Sequence, residues 1–295
     1  MKTFSIVIPT IGREKELEKL LESIKQQNYK KFEVIIVDQN QDDRLTEVVK
    51  KYKQVFTIKH YKVNFKGASK ARNYGAQKAK GEIINFPDDD CIYEKDTLKK
   101  VNEIFTINNN IDALFGKVKD LENKKDILYF KKNSGKVKKS NIYKTTIETS
   151  MFIKLKIFKE IEMFDENLGV GTYFGAEEGA DLVCRLLYKN YNLQYIAENF
   201  FFHPNKKEEE NIKRAYSYGI GFGGMAYKHI IKYKKIYPAI LYLIIKISKN
   251  IFCIIYGIIT INAKKIRYNY YSLKGKIVGI LKSDNKKRKK ERWKQ

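Results

Sequence analysis

Residues 81–91 read GEIINFPDDDC, and the three consecutive carboxylates Asp88, Asp89 and Asp90 are the densest candidate chemistry in the chain. Ile83, Ile84 and Phe86 form an apolar run of strand length that stops at Pro87, so the acids stand at a strand end. Like charges this close repel and raise one another's pKa values, and a fold keeps them ionised only with a cation nearby or good solvation. An oxygen-rich cluster suits a hard divalent ion, Mg²⁺ or Mn²⁺, bridging protein carboxylates to substrate phosphates. The same run also fits a solvated turn in which Asp90 or a neighbour caps the next helix.

The preceding elements must bring these acids to a shared edge. Residues 4–8 are an apolar, β-branched run closed by Pro9, Thr10 and Gly12, which reads as a buried first strand rather than a signal peptide. Leu17, Leu20, Leu21 and Ile24 follow at helical spacing within residues 14–27. Residues 32–37 repeat the strand pattern and end in Asp38, and residues 45–52 repeat the helical one. This β-α-β-α order predicts a parallel sheet with right-handed crossovers and a ligand site at the carboxyl ends of the strands. Residues 9–13, 38–42 and 88–90 then converge on one edge. Between them, residues 64–73 (NFKGASKARN) lead into a helical segment, with Gly67 for a tight backbone, Ser69 as a candidate cap, and Lys70 and Arg72 as positive charge. That segment suits a phosphate-bearing ligand as well as an ordinary surface helix, and matches neither the dinucleotide fingerprint nor the P-loop.

A chain of 295 residues with 43% hydrophobic content accommodates one catalytic unit and an appendage. Cys91, Cys184 and Cys253 are odd in number and without paired spacing, which argues against a disulfide framework and fits a reducing compartment. The net charge of +25 is uneven: residues 206–295 hold 23 Lys and Arg against 5 Asp and Glu. Such a segment implies an anionic partner, nucleic acid or lipid. Residues 215–226 are Gly-rich and aromatic, and residues 236–261 are strongly apolar but interrupted by Lys246, Lys249 and Asn250. A bilayer-crossing helix needs about 20 continuous apolar residues, so an in-plane or re-entrant helical pair fits this stretch better. Lys232, Lys234, Lys235, Lys264, Lys265, Arg267 and the terminal KKRKKERWK flank it as an anionic leaflet would require. A soluble helical hairpin is the plainer alternative, and Tyr268, Tyr270 and Tyr271 would stack on bases if the partner were a nucleic acid.

Taken together, SIVIPTIGR, VIIVDQNQDD and GASKARNYGAQKAKGEIINFPDDD resemble the nucleotide-sugar domain of family 2 glycosyltransferases of the bacterial surface-polysaccharide type, over about residues 4–205. The resemblance implies an α/β GT-A fold, a Rossmann-like mixed but mostly parallel sheet flanked by helices, here with a C-terminal helical membrane-associating appendage. It divides the chain into a nucleotide-sugar-binding half (1–110), an acceptor-binding half (111–205) and a basic, apolar helical region (206–295). It further implies inverting transfer, dependent on Mn²⁺ or Mg²⁺, from a nucleotide-diphosphate sugar to a hydroxyl of a glycan or lipid-linked acceptor. Pro9, Thr10, Arg13 and Asp38 would contact the nucleoside. Lys70, Arg72, Asp88 and Asp89 would face the rest of the donor, with Asp88 and Asp90 holding the metal.

Residues 145–153 and 158–171 resemble the acceptor side of the same family. Glu177 and Glu178 precede a helix carrying Leu182, Val183, Leu186 and Leu187, and acids at a helix start are often there only for the dipole. In the family an acidic pair at this point supplies the general base, commonly as Glu-Asp, one residue, then Asp-Leu. Here the order is Glu178, Gly179, Ala180, Asp181 and Leu182, so a glycine stands where the second acid belongs. Glu178 is the expected base, with Glu177 and Asp181 behind it. Residues 195–202 form a further strand ending at His203. A lone histidine there is commonly structural, but in GT-A enzymes it completes the metal shell. His60 and His229 fall outside every matched motif and receive no role. The resulting expectation is an enzyme at the cytoplasmic face of the cell membrane, peripheral or re-entrant, with an anionic membrane surface as partner and no nucleic acid. A sugar-nucleotide pyrophosphorylase, or a nucleic-acid- or membrane-binding protein built around the basic tail, stands as the alternative.

Overall fold

The computed structural model describes residues 1–204, 211–234 and 236–292. The acidic run at 208–210, Lys235 and residues 293–295 lie outside the described residues. The chain divides into two units, one of residues 1–165 and 179–205, the other of residues 166–178 and 206–295. Residues 166–178 thus group with the C-terminal region.

In the first unit, β1 (Phe4–Thr10), α1 (Lys15–Lys25), β2 (Phe32–Asp38), α2 (Thr46–Lys53), β3 (Ile58–Lys62), α3 (Ala68–Lys78) and β4 (Ile83–Asn85) follow in the expected alternation. Then come β5 (Ile92–Tyr93), α4 (Thr97–Ile107), β6 (Ala113–Asp120), β7 (Gly135–Lys136), β8 (Phe152–Lys154), α5 (Leu155–Glu160), α6 (Glu178–Tyr188) and β9 (Leu193–His203). The sheet order is β3-β2-β1-β4-β8-β6-β9-β5, with β7 against β9. The run β3-β2-β1-β4 is parallel, β8 reverses, and β6 and β9 return to the first direction. The carboxyl ends of β1, β2, β4 and β9 therefore share one edge.

Period-two burial drives this layering. Ile6, Ile8, Val34 and Ile36 enter one core with the apolar residues of α1, α2 and α4, while Val7, Ile35 and Val37 enter a second core with α3, α5 and α6. Helix α3 lies close on the sheet: a Cβ on Gly75 would meet Val7 Cγ1 at 2.3 Å. The N-cap of α3 is Gly67 at φ +124°, with no side-chain cap, which corrects the expectation that Ser69 caps it. Ser69 is fully buried instead. Asp90 likewise caps nothing, since α4 begins at Thr97 after Asp96.

The second unit holds α7 (Asn211–Ile231), α8 (Ile236–Ile259) and α9 (Ala263–Arg292). Helices α7 and α9 cross at backbone distance through Gly219 and Gly223 on one side and Gly275 and Gly279 on the other. A Cβ on Gly223 would stand 2.1 Å from the Lys276 carbonyl oxygen, and one on Gly279 would stand 2.3 Å from that of Ile220. The stretch expected to form an in-plane or re-entrant pair is instead the single helix α8. Its window Ile240–Ile259 is, by length and composition, long and apolar enough to cross a membrane. The two lysines inside it do not break the helix, because a long side chain can run its charge away from apolar surroundings.

Candidate active site

Strand β4 ends at Asn85 because Pro87 cannot continue the ladder, and the next three residues turn at the sheet edge. The short pairing of β5 with β9 then decides what they meet. Ile92 lies opposite Phe202 and Tyr93 opposite Phe201, which carries the residues before β5 to His203. One donor atom each from Asp88, Asp90, Cys91 and His203 lies within 4.8 Å of all the others. His203 Nδ1 stands 2.8 Å from the Pro204 carbonyl oxygen, which can only accept, so Nδ1 carries the proton. Its Nε2 then faces Asp90 Oδ1 at 3.3 Å and Asp88 Oδ2 at 3.9 Å. Among the described residues Asp90 Oδ1 is buried without a hydrogen-bond donor.

Lone pairs of Asp88, Asp90 and His203 thus converge on one point, and a cation or an extra proton there would satisfy the Asp90 oxygen. Two carboxylates and an imidazole are a fitting donor set for Mg²⁺ or Mn²⁺. Cys91 is a donor that sequence reasoning passed over. Burial, and then Asp88 and Asp90, push its thiol well above the usual range, so it stays protonated beside the carboxylates.

Two arginines hold the acids in place. Arg13 bonds Asp89 and lies 2.9 Å from Asp90, and Arg72 lies 2.7 Å from Asp88 Oδ1. Three carboxylates face two guanidinium groups, so the protein supplies much of the counter-charge that the sequence assigned to a metal and leaves one negative charge over. Burial alone would raise the Asp88 carboxyl, but the Arg72 guanidinium and the Thr149 hydroxyl beside it hold it below the ordinary range. For Asp89 burial prevails over Arg13, and its carboxyl is raised. Expected as donor contacts, Arg13 and Arg72 serve in this structure as braces. Lys70 is exposed and stands over the Phe65 ring at 4.5 Å.

Pro9 and Thr10 end β1 in register with Val37 and Asp38. Asp38 is buried: Oδ2 pairs with His60 Nε2 at 2.9 Å, and Oδ1 accepts from the Asn40 amide at 2.9 Å and its side chain at 2.8 Å. His60, given no role from sequence, thus orients an expected nucleoside contact from the neighbouring strand β3. Asn40 Oδ1 accepts from Gly12 N at 2.6 Å and Gln39 Oε1 from Gly67 N at 2.8 Å, so the loops after β1, β2 and β3 form one cradle.

On the acceptor side, Asp181 is completely buried with Oδ2 2.8 Å from Arg185 Nε, and Arg185 also donates to the Ile161 and Met163 carbonyls. A carboxylate enclosed in this way anchors the 161–163 loop and presents no face to an acceptor, so Asp181 leaves the set of candidate bases. Glu177 adopts φ +74°, and Glu178 is buried at the start of α6. Both belong to the 166–178 segment of the second unit. Glu148, which no motif singled out, accepts from Gly179 N at 3.2 Å, and its neighbour Thr149 donates to Asp88 Oδ2 at 3.0 Å. His229, also without a role, is buried in the second unit against Tyr233.

A mixed sheet of this order, with carboxylates and a histidine gathered at its carboxyl edge, is a GT-A-type fold, and the chain belongs to glycosyl transferase family 2, whose model matches residues 5–161. Membership decides against the pyrophosphorylase alternative. The chain is 28% identical over 226 residues to the poly(ribitol-phosphate) beta-N-acetylglucosaminyltransferase TarS of Staphylococcus aureus, an alignment covering 73% of this chain and 38% of TarS. It is 27% identical over 216 residues to the corresponding TarP enzyme, covering 70% and 65%. The crystal structure of S. aureus TarS 1-349 in complex with UDP-GlcNAc superposes with TM-score 0.63 at 21% identity, over 78% of this chain and 67% of that one. The chain therefore spans about two fifths of the length of TarS.

Proposed function

We propose that this protein transfers a sugar from a nucleotide-diphosphate sugar to a hydroxyl of a glycan or lipid-linked acceptor during cell-surface polymer synthesis, with inversion at the anomeric carbon. The observation that carries the reading is the convergence of Asp88, Asp90 and His203 lone pairs at the carboxyl edge of a family 2 chain. A divalent ion held by those three residues would neutralise charge on the departing diphosphate. Arg13 and Arg72 hold the acids in place, and the cradle of Thr10, Asp38 and Asn40 receives the nucleoside. A carboxylate on the acceptor side takes the acceptor proton, and Glu178 is the candidate that the sequence alone offers for it. UDP is the favoured nucleotide because TarS, a similar protein, is known bound to UDP-GlcNAc.

Two features support a phosphate-bearing acceptor near a membrane. A cavity of about 480 Å³ is lined by Lys131, Lys136, Lys138 and Lys144 with Asn133, Ser140 and Asn141, and no acid lines it. The relatives' names specify a poly(ribitol-phosphate) acceptor. In the second unit, α8 leaves Phe252, Ile255, Ile258 and Ile259 exposed, which suits attachment to the cytoplasmic face of the membrane.

Calorimetry with UDP, GDP, dTDP and CDP, each with and without Mn²⁺, tests the donor assignment. UDP should bind only with the ion, and Asp90→Ala should abolish that binding in a protein that still melts cooperatively. Binding that ignores both the ion and the substitution would sink the reading, and a product with retained anomeric configuration would sink the inverting mechanism.

A further inference from the structure

The glycine at position 179 has a physical explanation in its surroundings. A Cβ built there would lie 2.4 Å from Glu148 Cγ, 2.5 Å from Cδ and 2.6 Å from Oε1. Those distances fall inside van der Waals contact, so an acid at 179 and Glu148 in this position exclude each other. The space that a side chain at 179 would enter is filled by a carboxylate from elsewhere in the chain.

The backbone that carries this carboxylate is firmly placed. Glu148 opens the single turn Glu148–Ser150 just before β8. The turn is tied to the sheet by Ser150 Oγ donating to the Gly116 carbonyl at 2.8 Å and by Asn85 Nδ2 donating to the Thr149 carbonyl at 3.0 Å. Asn85 is itself held by the Tyr93 hydroxyl at 2.5 Å. Thr149, the next residue, touches Asp88. Glu148 is half-buried rather than enclosed, in contrast to Asp181.

We propose that Glu148 is the general base of the transfer, its carboxylate standing where the family's acidic pair would place an acid at residue 179. The assignment rests on the transferase reading above. In the step, the acceptor hydroxyl gives its proton to a Glu148 carboxylate oxygen and its oxygen bonds to the anomeric carbon. The bond from that carbon to the donor phosphate oxygen breaks, and its electron pair leaves with the nucleoside diphosphate. The Gly179 amide steadies the carboxylate as it turns from anion to acid.

Glu148→Gln separates charge from placement, because the amide oxygen still accepts from Gly179. With UDP-GlcNAc as donor and a synthetic ribitol-phosphate oligomer as acceptor, kcat should fall by about 10²- to 10⁴-fold while UDP binding stays within about twofold. The acidic limb of the pH profile of kcat/KM should flatten. The exchange Glu148→Ala with Gly179→Asp should recover a substantial part of the rate lost in Glu148→Ala alone, although Gly179→Asp by itself should be impaired and less stable. A Glu148→Gln enzyme with the rate and pH profile of the wild type, or an exchange that recovers nothing while Glu178→Gln is inactive, would overturn the assignment. Absence of turnover in the wild type itself would overturn the transferase reading with it, whereas turnover in the wild type and in Glu148→Gln alike overturns the base assignment only.

Discussion

At the scale of single residues, the site is a set of charges that offset one another in large part before any ligand arrives. Asp38 shows how this reaches stability. Burial would raise its carboxyl, yet the bonds from His60 and Asn40 outweigh that penalty and hold its pKa below the ordinary value. A depressed native pKa contributes stability that is present above the unfolded value near 3.9 and is lost as pH falls through the native one. Asp38→Asn should therefore cost about 1–3 kcal/mol at pH 7, and the gap to wild type should narrow below about pH 4. Urea denaturation at both pH values checks this, and a gap that widens on acidification would contradict it. Asp88, Asp89 and Asp90 were legible in the sequence because they are adjacent and follow a strand. His60, Cys91 and Glu148 were not, because each gains its place from a partner 22 to 31 positions away or from a strand pairing across the fold. Arg13 and Arg72 were legible as positive charges near the site, but that they would turn onto the acids depends on the geometry of the finished edge.

At the scale of elements, the alternation β1-α1-β2-α2 could be read from periodicity because each strand is buried on both faces and each helix carries a clean apolar stripe. Strands β3 and β5 could not. Only Ile58 of β3 is buried, and β5 has two residues whose strand character comes from β9. Yet the pairing of β5 with β9 is what brings His203 to the aspartates, so a two-residue strand decides the make-up of the site. Helix α6 is anchored by a different device, the pair Asp181–Arg185 one turn apart with Arg185 gripping two carbonyls of the preceding loop. Removing one partner strands the other's charge in the core, and Arg185→Met should cost about 3–5 kcal/mol. Replacing both by apolar residues of similar volume should cost much less. Denaturant midpoints of the three proteins decide the matter, and a double variant no more stable than Arg185→Met would show that the ion pair is not the anchor.

At the scale of the whole molecule, the uneven charge of the sequence coincides with an uneven distribution of exposed apolar surface within the second unit. The α8 face carrying Ile244, Ile245, Phe252, Ile255 and Ile259 is exposed along much of the helix, whereas soluble chains seldom leave contiguous apolar patches uncovered. Polar groups on the other side of the same helix are satisfied within the unit. Asn250 accepts from Lys276 Nζ at 2.7 Å and donates to Asn269 at 2.9 Å. Burial, and then nearby Lys246, lower the Lys276 pKa to about 8. The helix therefore has a polar inner face fixed by α9 and an apolar outer one, an arrangement suited to a lipid phase bounded by anionic headgroups. Two forces of different salt dependence would act together, because lysine attraction is screened within a Debye length while apolar burial is not. The full chain should co-sediment with phosphatidylglycerol-containing vesicles, and 0.5 M salt, roughly where screening reaches a few ångströms, should weaken that binding without abolishing it. Phe252→Glu with Ile255→Glu should remove the salt-resistant part and leave UDP binding intact. If salt alone releases the wild-type protein completely, charge is the whole attachment and α8 faces something other than lipid.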